Sequence, residues 1–259
     1  MAVKLSVALT INERPTPVLD AVFGSLRKQP FDELVIVLDR SPREVIEHVH
    51  DYWAGDKRFV PGALMGEPGW RSPVPAWNAA FALTTGDHLY AFSSEVVHAP
   101  QNLAVARRLL AENPNTLIFG KAMCSCGPDG GEVNWGGQAP SNLLVDAAHP
   151  RPLGFIWAGP MANVRQIGGM DMEFRHGLWH DDDSYFYELW KTGLNFLFTD
   201  EISGVHLHHD RPVLATEAGQ RLINTNRAYM LRKHGTLTPW SGTPRLETRQ
   251  PRVTVWRHP

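Results

Sequence analysis

Cysteine is nearly absent from the 259 residues: only Cys124 and Cys126 occur. One intervening residue makes too strained a loop for a structural disulfide, so a disulfide-built fold is excluded and a reducing compartment is expected. A Cys-x-Cys pair can contribute to a zinc site, but no second cysteine pair exists to complete one, and free thiols in a loop are the simpler reading. Long apolar runs are missing too. None approaches the roughly 18 to 20 residues of a membrane span, and Met1 to Ile11 carries no signal-cleavage pattern but reads as a first strand, so a cytoplasmic protein without a transmembrane segment is expected. There is no GxGxxG, no P-loop and no internal repeat, so neither a dinucleotide-binding fold nor a P-loop NTPase is supported.

What is present is ordinary for a folded protein: 43% hydrophobic and 20% charged residues, at a length that suits one α/β domain with or without a small C-terminal extension. Lys4 to Ile11 is a run of β-formers. Thr16 and Pro17 follow as cap and first helical position, with Val18, Leu19, Val22, Phe23 and Leu26 at helical spacing. Leu34 to Leu38 is a second apolar run ending at Asp39, and Ser41 and Glu44 then have the spacing of a capping box before Val45, Ile46 and Val49. Neither run alternates, which is the pattern of strands buried on both faces, so a parallel sheet with crossover helices is indicated. A third unit has a helix over Pro75 to Leu83, a stop at Gly86 and a strand over Leu89 to Phe92. Beyond it, Pro100 to Leu110 reads as a helix, Leu117 to Phe119 as a strand and Cys124 to Pro140 as a long, glycine-rich loop that is expected to be mobile or to cover substrate. Helices are then expected from about Asp182 to Thr192 and from Glu217 to Lys233, with a strand at Phe196 to Phe198 between them.

Ligands of open α/β sheets sit beyond the carboxyl ends of the strands. The polar residues at those ends are Asn12, Glu13 and Arg14; Asp39 and Arg40; Ser93, Ser94 and Glu95; and His206 to Asp210. A carboxylate such as Glu95 can ligate Mg²⁺ or Mn²⁺ beside a diphosphate. In an extended backbone His206 and His208 share one face and Leu207 and His209 the other, so one face can offer imidazoles to a metal; a polar edge strand explains the same residues. Asp181, Asp182 and Asp183 precede Tyr185, Phe186, Leu189 and Trp190, which puts three acids at a helix N-terminus where the dipole favours them. Adjacent carboxylates also raise one another's pKa, as a base that deprotonates a sugar hydroxyl requires. Of the nine tryptophans, Trp70, Trp77, Trp157 and Trp179 fall near these segments, and indole faces stack on sugars as well as filling cores.

In order along the chain, these pieces resemble the family 2 glycosyltransferases of the GT-A fold, from about Lys4 to Asp210. Leu5 to Arg14 looks like the family's first strand with its Asn-Arg ending, and Leu34 to Ser41 like the second, ending in the acid that reads the nucleotide base. Trp77-Asn78 and Thr85 to Glu95 look like the helix and strand leading to the Asp-x-Asp element. Ile167 to Asp171 resembles the Gly-Gly-Phe-Asp stretch beside the acceptor, and Asp181-Asp182 falls where the family has its Glu-Asp base motif. The resemblance implies an α/β, GT-A type Rossmann-like sheet, mixed but mainly parallel and flanked by helices, over residues 1–210, with a C-terminal helix and basic tail over 211–259. It implies that Thr10, Asn12, Glu13, Arg14, Asp39, Arg71, Asn78, Ser93 and Ser94 hold a UDP-, GDP- or TDP-sugar. By the same resemblance, Glu95 and His206 hold Mn²⁺ or Mg²⁺, with His208 added from the face it shares with His206, and Asp182 with Asp181 supplies the base of a single inverting displacement. Ser93 departs from the pattern: it stands where the family has the first Asp of Asp-x-Asp, removing a charge near ribose and metal.

The same His and Asp clusters also suit a metal-dependent phosphohydrolase or nucleotidyltransferase, and the loss at Ser93 suits an inactive nucleotide- or carbohydrate-binding module. From Arg221 onward eight basic residues face the single acid Glu247. A tail of this kind fits an anionic partner, so modified DNA or a membrane lipid join a protein hydroxyl as candidate acceptors.

Overall fold

A computed structural model describes residues 3–66, 72–125, 143–207, 209, 216–240, 246–247 and 253–258. Its elements are, in order, β1 (Leu5–Ile11), α1 (Thr16–Arg27), β2 (Glu33–Asp39), α2 (Arg43–Tyr52), β3 (Phe59–Leu64), α3 (Val74–Leu83), β4 (His88–Phe92), β5 (Val96–His98), α4 (Asn102–Glu112), β6 (Thr116–Cys124), β7 (Leu143–Val145), β8 (Ile156–Pro160) and α5 (Met161–Gln166). A 3-10 turn (Met172–His176), α6 (Asp181–Lys191), β9 (Asn195–His206), α7 (Glu217–His234), β10 (Leu246–Glu247) and β11 (Val253–Trp256) complete them. Among the described residues all strands join one mixed sheet in the order β10-β11-β9-β6-β8-β4-β1-β2-β3, with β5 on β9 and β7 on β6.

The apolar runs explain the layering. Leu5, Val7, Leu9 and Ile11 of β1, with Leu34, Ile36 and Leu38 of β2, pack beneath α1, α2 and α4, whereas Ala8, Val35 and Val37 face α3 and α6 on the other side. Both faces are dry, which is why these strands do not alternate. Strands β4, β1, β2 and β3 are mutually parallel, and β8 is antiparallel to both β4 and β6, so β6 and its parallel neighbour β9 run the same way as β4. The carboxyl ends of β1, β2, β4, β6 and β9 therefore share one edge of the sheet. The opposite edge is pinned by Glu33, whose carboxylate accepts from Ser6 Oγ (2.6 Å), Thr85 N–H (2.8 Å) and Thr85 Oγ1 (2.7 Å). Burial alone would raise its pKa, but these bonds hold it below the ordinary value.

Several expectations shift. Strand β6 runs to Cys124, whose thiol is 5% exposed at the strand's end rather than free in a loop; Cys126 and the rest of the glycine-rich stretch to Pro140 lie outside the described residues. Ser41 does not cap α2, which starts after Pro42; its hydroxyl donates to the Ile11 carbonyl (2.9 Å) and ties the end of β2 to that of β1. Helix α1 likewise starts at Thr16 behind Pro15, without a side-chain cap. From the far end of the chain, β11 adds antiparallel to β9, pairing Val253 with Thr199 and Trp256 with Phe196.

Candidate active site

The shared sheet edge gathers most of the sequence candidates. Past β1, Asn12 Nδ2 donates to the Asp39 carbonyl (2.5 Å), locking the ends of β1 and β2 together. Asp39 is buried at 3% exposure, Arg40 beside it takes a positive φ of 51°, and its guanidinium stands 3.7 Å from the Asp39 carboxylate. Thr10 is half-buried at the end of β1, opposite Val37, and Glu13 is exposed, its carbonyl accepting from Arg14 Nη1 (2.6 Å).

Past β4 the chain turns tightly through Ser93, Ser94 and Glu95, with Val96 N–H donating to the Ser93 carbonyl (3.0 Å). Strand β5 then pairs Val96 with His206, and Leu207 N–H donates to the Glu95 carbonyl (2.8 Å). This pairing carries the Glu95 side chain to the end of β9. The ligand atoms of Glu95, His206 and His209 all lie within 4.8 Å of one another, with Glu95 and His206 buried. His209 Nε2 is 3.3 Å from Glu95 Oε1, and the His206 ring packs against Phe155 and His209 with centroids 5.2 and 5.3 Å away. Arg14 reaches the same carboxylate oxygen in a close ion pair. One carboxylate and two imidazoles at this spacing are a donor set that fits a divalent cation.

His209 is the residue that the sequence reading placed on the wrong face. Its alternation argument holds only while the backbone is extended, and β9 ends at His206, so the chain beyond need not alternate. His208, Asp210 and Arg71 lie outside the described residues.

The acid cluster approaches from the other side. Two consecutive non-glycine residues, Trp179 and His180, both have φ of 63° ahead of α6. Such backbone is costly and persists only where its surroundings hold it. Here α7 does so: buried Asn226 donates through Nδ2 to the carbonyls of Phe174 (3.1 Å) and Trp179 (2.9 Å), and Leu178 N–H donates to the Leu222 carbonyl (3.1 Å). The turn delivers Asp181 and Asp182 to the head of α6. Burial first, then the neighbouring carboxylates, raises both: Asp181 is pushed up to about 6 and Asp182 well above its ordinary value. Hydrogen bonds from the Asp183 and Gly154 amides to Asp182 only partly offset this. Gly154 leads directly to Phe155, whose carbonyl accepts from Ser93 N–H (3.1 Å) and whose ring packs on His206. One short segment thus touches both the acid cluster and the Glu95 cluster.

Asn78 has a different setting. Its amide donates to the Met170 carbonyl and accepts from Met170 N–H, both at 2.8 Å, which pins the Gly168-Gly169 turn. A cavity of about 490 Å³ opens beside that turn, lined also by Asp171, Tyr185 and Lys233, but none of Glu95, His206 and His209 lines it. Of the tryptophans, Trp157 is core at 3% exposure, Trp77 stacks on Phe81, and Trp179 is 47% exposed beside the acids. Three cations of α7 are engaged: Arg221 pairs with Glu217, Lys233 Nζ donates to Asp171 (2.7 Å), and Arg232 lies over the Tyr229 ring.

No family profile and no curated protein match the sequence. Solved structures match its shape. The mannosyltransferase PcManGT from Pyrobaculum calidifontis, in complex with GDP-Man and Mn²⁺, superposes with a TM-score of 0.61 at 14% identity, over 90% of this chain and 65% of its own. GalNAc-T7 with UDP, GalNAc and Mn²⁺ gives 0.61 at 13% identity, over 90% and 50%. TarS 1–349 of S. aureus with UDP-GlcNAc gives 0.59 at 12% identity, over 88% and 74%. This chain therefore spans between half and three quarters of the length of these proteins, and at such identities the likeness is one of fold. The fold is the GT-A fold: a mixed, mainly parallel sheet flanked by helices, with a C-terminal helical extension. No helix among the described residues is long and apolar enough to cross a membrane.

Proposed function

We propose that the chain is a glycosyltransferase that moves a sugar from a nucleoside-diphosphate sugar to an acceptor hydroxyl with inversion at the anomeric carbon. The observation that carries this reading is the convergence of Glu95, His206 and His209, on the carboxyl edge of the sheet, with a pair of raised-pKa aspartates joined to them through Gly154-Phe155. The fold shared with a mannosyltransferase and with two proteins solved with UDP and GalNAc or with UDP-GlcNAc supports it. In this reading residues 1–210 hold the catalytic machinery and residues 211–259 form the helix and basic tail. Thr10, Asn12, Glu13, Arg14, Asp39, Ser93 and Ser94 face the nucleotide and diphosphate, and Glu95, His206 and His209 hold the cation. When bound, that cation neutralises charge on the departing diphosphate. Two imidazoles among three ligands favour Mn²⁺ over Mg²⁺, which prefers oxygen and water.

Asp182 acts as the general base. Its carboxylate takes the proton of the acceptor hydroxyl as the hydroxyl oxygen bonds to the anomeric carbon, while the bond from that carbon to the diphosphate oxygen breaks and its electron pair leaves with the nucleoside diphosphate. General-base help of this kind contributes on the order of 10²- to 10⁴-fold. The test is a thermal-shift panel of UDP-, GDP- and TDP-sugars with and without Mn²⁺, followed by turnover of Asp182→Asn with hydroxylated DNA, lipid and protein acceptors. Binding of one donor that strengthens with Mn²⁺, and loss of turnover in the variant, are expected. Near-normal transfer by Asp182→Asn would sink the assignment, and nucleotide hydrolysis without acceptor would favour a phosphohydrolase.

A further inference from the structure

Arg14 occupies the position where the proposed cation's charge is needed. Its guanidinium forms a close ion pair with Glu95 Oε1, the same oxygen that stands 3.3 Å from His209 Nε2. The carboxylate is 5% exposed, so water screens the pair weakly, and a metal approaching Glu95 must meet a fixed positive charge. Arg14 is also incompletely used. Its Nη1 donates to the Glu13 carbonyl, but Nε is buried and, among the described residues, has no hydrogen-bond partner. Nε and an adjacent Nη form the fork that grips two oxygens of a phosphate or carboxylate.

Resting on the donor reading above, we infer that Arg14 is an internal stand-in for the metal: it neutralises Glu95 while the site is empty and transfers to the donor's diphosphate when cation and donor bind together. Metal alone must displace the guanidinium with nothing offered in return. Metal plus diphosphate offers it an anion within the same site. Cation and nucleotide binding are thereby coupled, and by linkage each strengthens the other by the same factor. The stand-in also compensates for Ser93: with one carboxylate fewer, a single cationic side chain suffices to balance Glu95.

The experiment is calorimetric titration of Mn²⁺ into the full chain, alone and with each of UDP, GDP and TDP, for wild type, Arg14→Gln and Arg14→Lys. Wild type should bind Mn²⁺ at least about tenfold more tightly once the preferred diphosphate is present. Arg14→Gln should bind Mn²⁺ alone at least about tenfold more tightly than wild type, because removing one like charge a few ångströms away is worth that much even at high effective dielectric. In that variant most of the enhancement by diphosphate should disappear. Arg14→Lys, which keeps the charge but loses the fork, should bind Mn²⁺ alone as weakly as wild type and retain only part of the enhancement by diphosphate. Unchanged Mn²⁺ affinity in a folded Arg14→Gln protein, or equal behaviour of the Gln and Lys variants, overturns the inference while leaving the donor reading intact. Failure of every protein to bind any of the three diphosphates overturns both.

Discussion

Replacing Asp181 by asparagine should make the protein more stable, and the gain should depend on pH. In the folded chain burial and the adjacent carboxylates lift this group from 3.8 to about 6. A raised carboxyl pKa means that the native state holds the proton more firmly than the unfolded chain does. Between pH 4 and pH 6 the native state therefore binds more protons, and stability from this group falls as pH rises through that window, levelling off above it. The span corresponds to roughly 3 kcal/mol if the group were isolated. Residual solvent contact and the loss of a favourable charge at the α6 N-terminus, worth about 0.3–1 kcal/mol, reduce the expected gain to about 1–2 kcal/mol. For a domain of this size that is a rise in Tm of roughly 2–8 °C. The assay is thermal denaturation followed by circular dichroism, for wild type and Asp181→Asn side by side from pH 4 to pH 8. The difference between the two proteins should be small at pH 4 and reach its plateau near pH 7. A difference that is constant across the range, or that favours wild type at pH 8, would refute the electrostatic account of this cluster.

Other substitutions probe the same packing and the same charges. Asn226→Ala removes both donors that hold the Phe174 and Trp179 carbonyls and should cost about 2–3 kcal/mol, with the turn before α6 losing hydrogen-exchange protection first. A methyl group on Gly169, at φ +84°, would lie 2.5 Å from Asn78 Oδ1, whereas on Gly168, at φ +76°, it meets nothing within 4 Å. Gly168→Ala should thus cost about 1 kcal/mol and Gly169→Ala clearly more. Buried His98, held neutral by desolvation with its pKa pushed down to about 3, is unprotonated in the fold at pH 5 while the unfolded chain takes up the proton. Stability should fall by about 2 kcal/mol from pH 7 to pH 5 on its account, and His98→Gln should flatten that part of the pH profile.

The parallel half of the sheet was legible because its strands are buried on both faces and leave unbroken apolar runs in the sequence. Strand β3 was not: Phe59 to Leu64 contains Pro61 and Gly62 and is only partly buried at the sheet's edge, so nothing in its pattern marks a strand. The strand-end residues Arg14, Glu95 and His206 were found because carboxyl ends of parallel strands must share an edge. His209 was missed because its position depends on how the chain leaves β9, and period-two reasoning stops where the strand does. The mutual contribution of Asp181 and Asp182 to their raised pKa was foreseeable from their adjacency, but not the burial that dominates it, the positive-φ turn at Trp179-His180 or its clamp from Asn226, which comes from a helix about forty residues further on. Asn78, read as a donor contact, shows an amide engaged with Met170, a pairing that only the fold reveals.

Strand β11 has a consequence for how the protein is made. It seats Trp256 against Phe196 and Phe198 and covers the outer side of β9. Until Val253 to Trp256 pair with it, the Phe196 to Thr199 part of β9 presents an unpaired edge next to a patch of aromatic side chains. Such an edge is open to pairing with another nascent chain. Expression yield should therefore be more sensitive to Trp256 than to exposed Arg257, and removing Val253 to Trp256 would leave an aggregation-prone sheet edge.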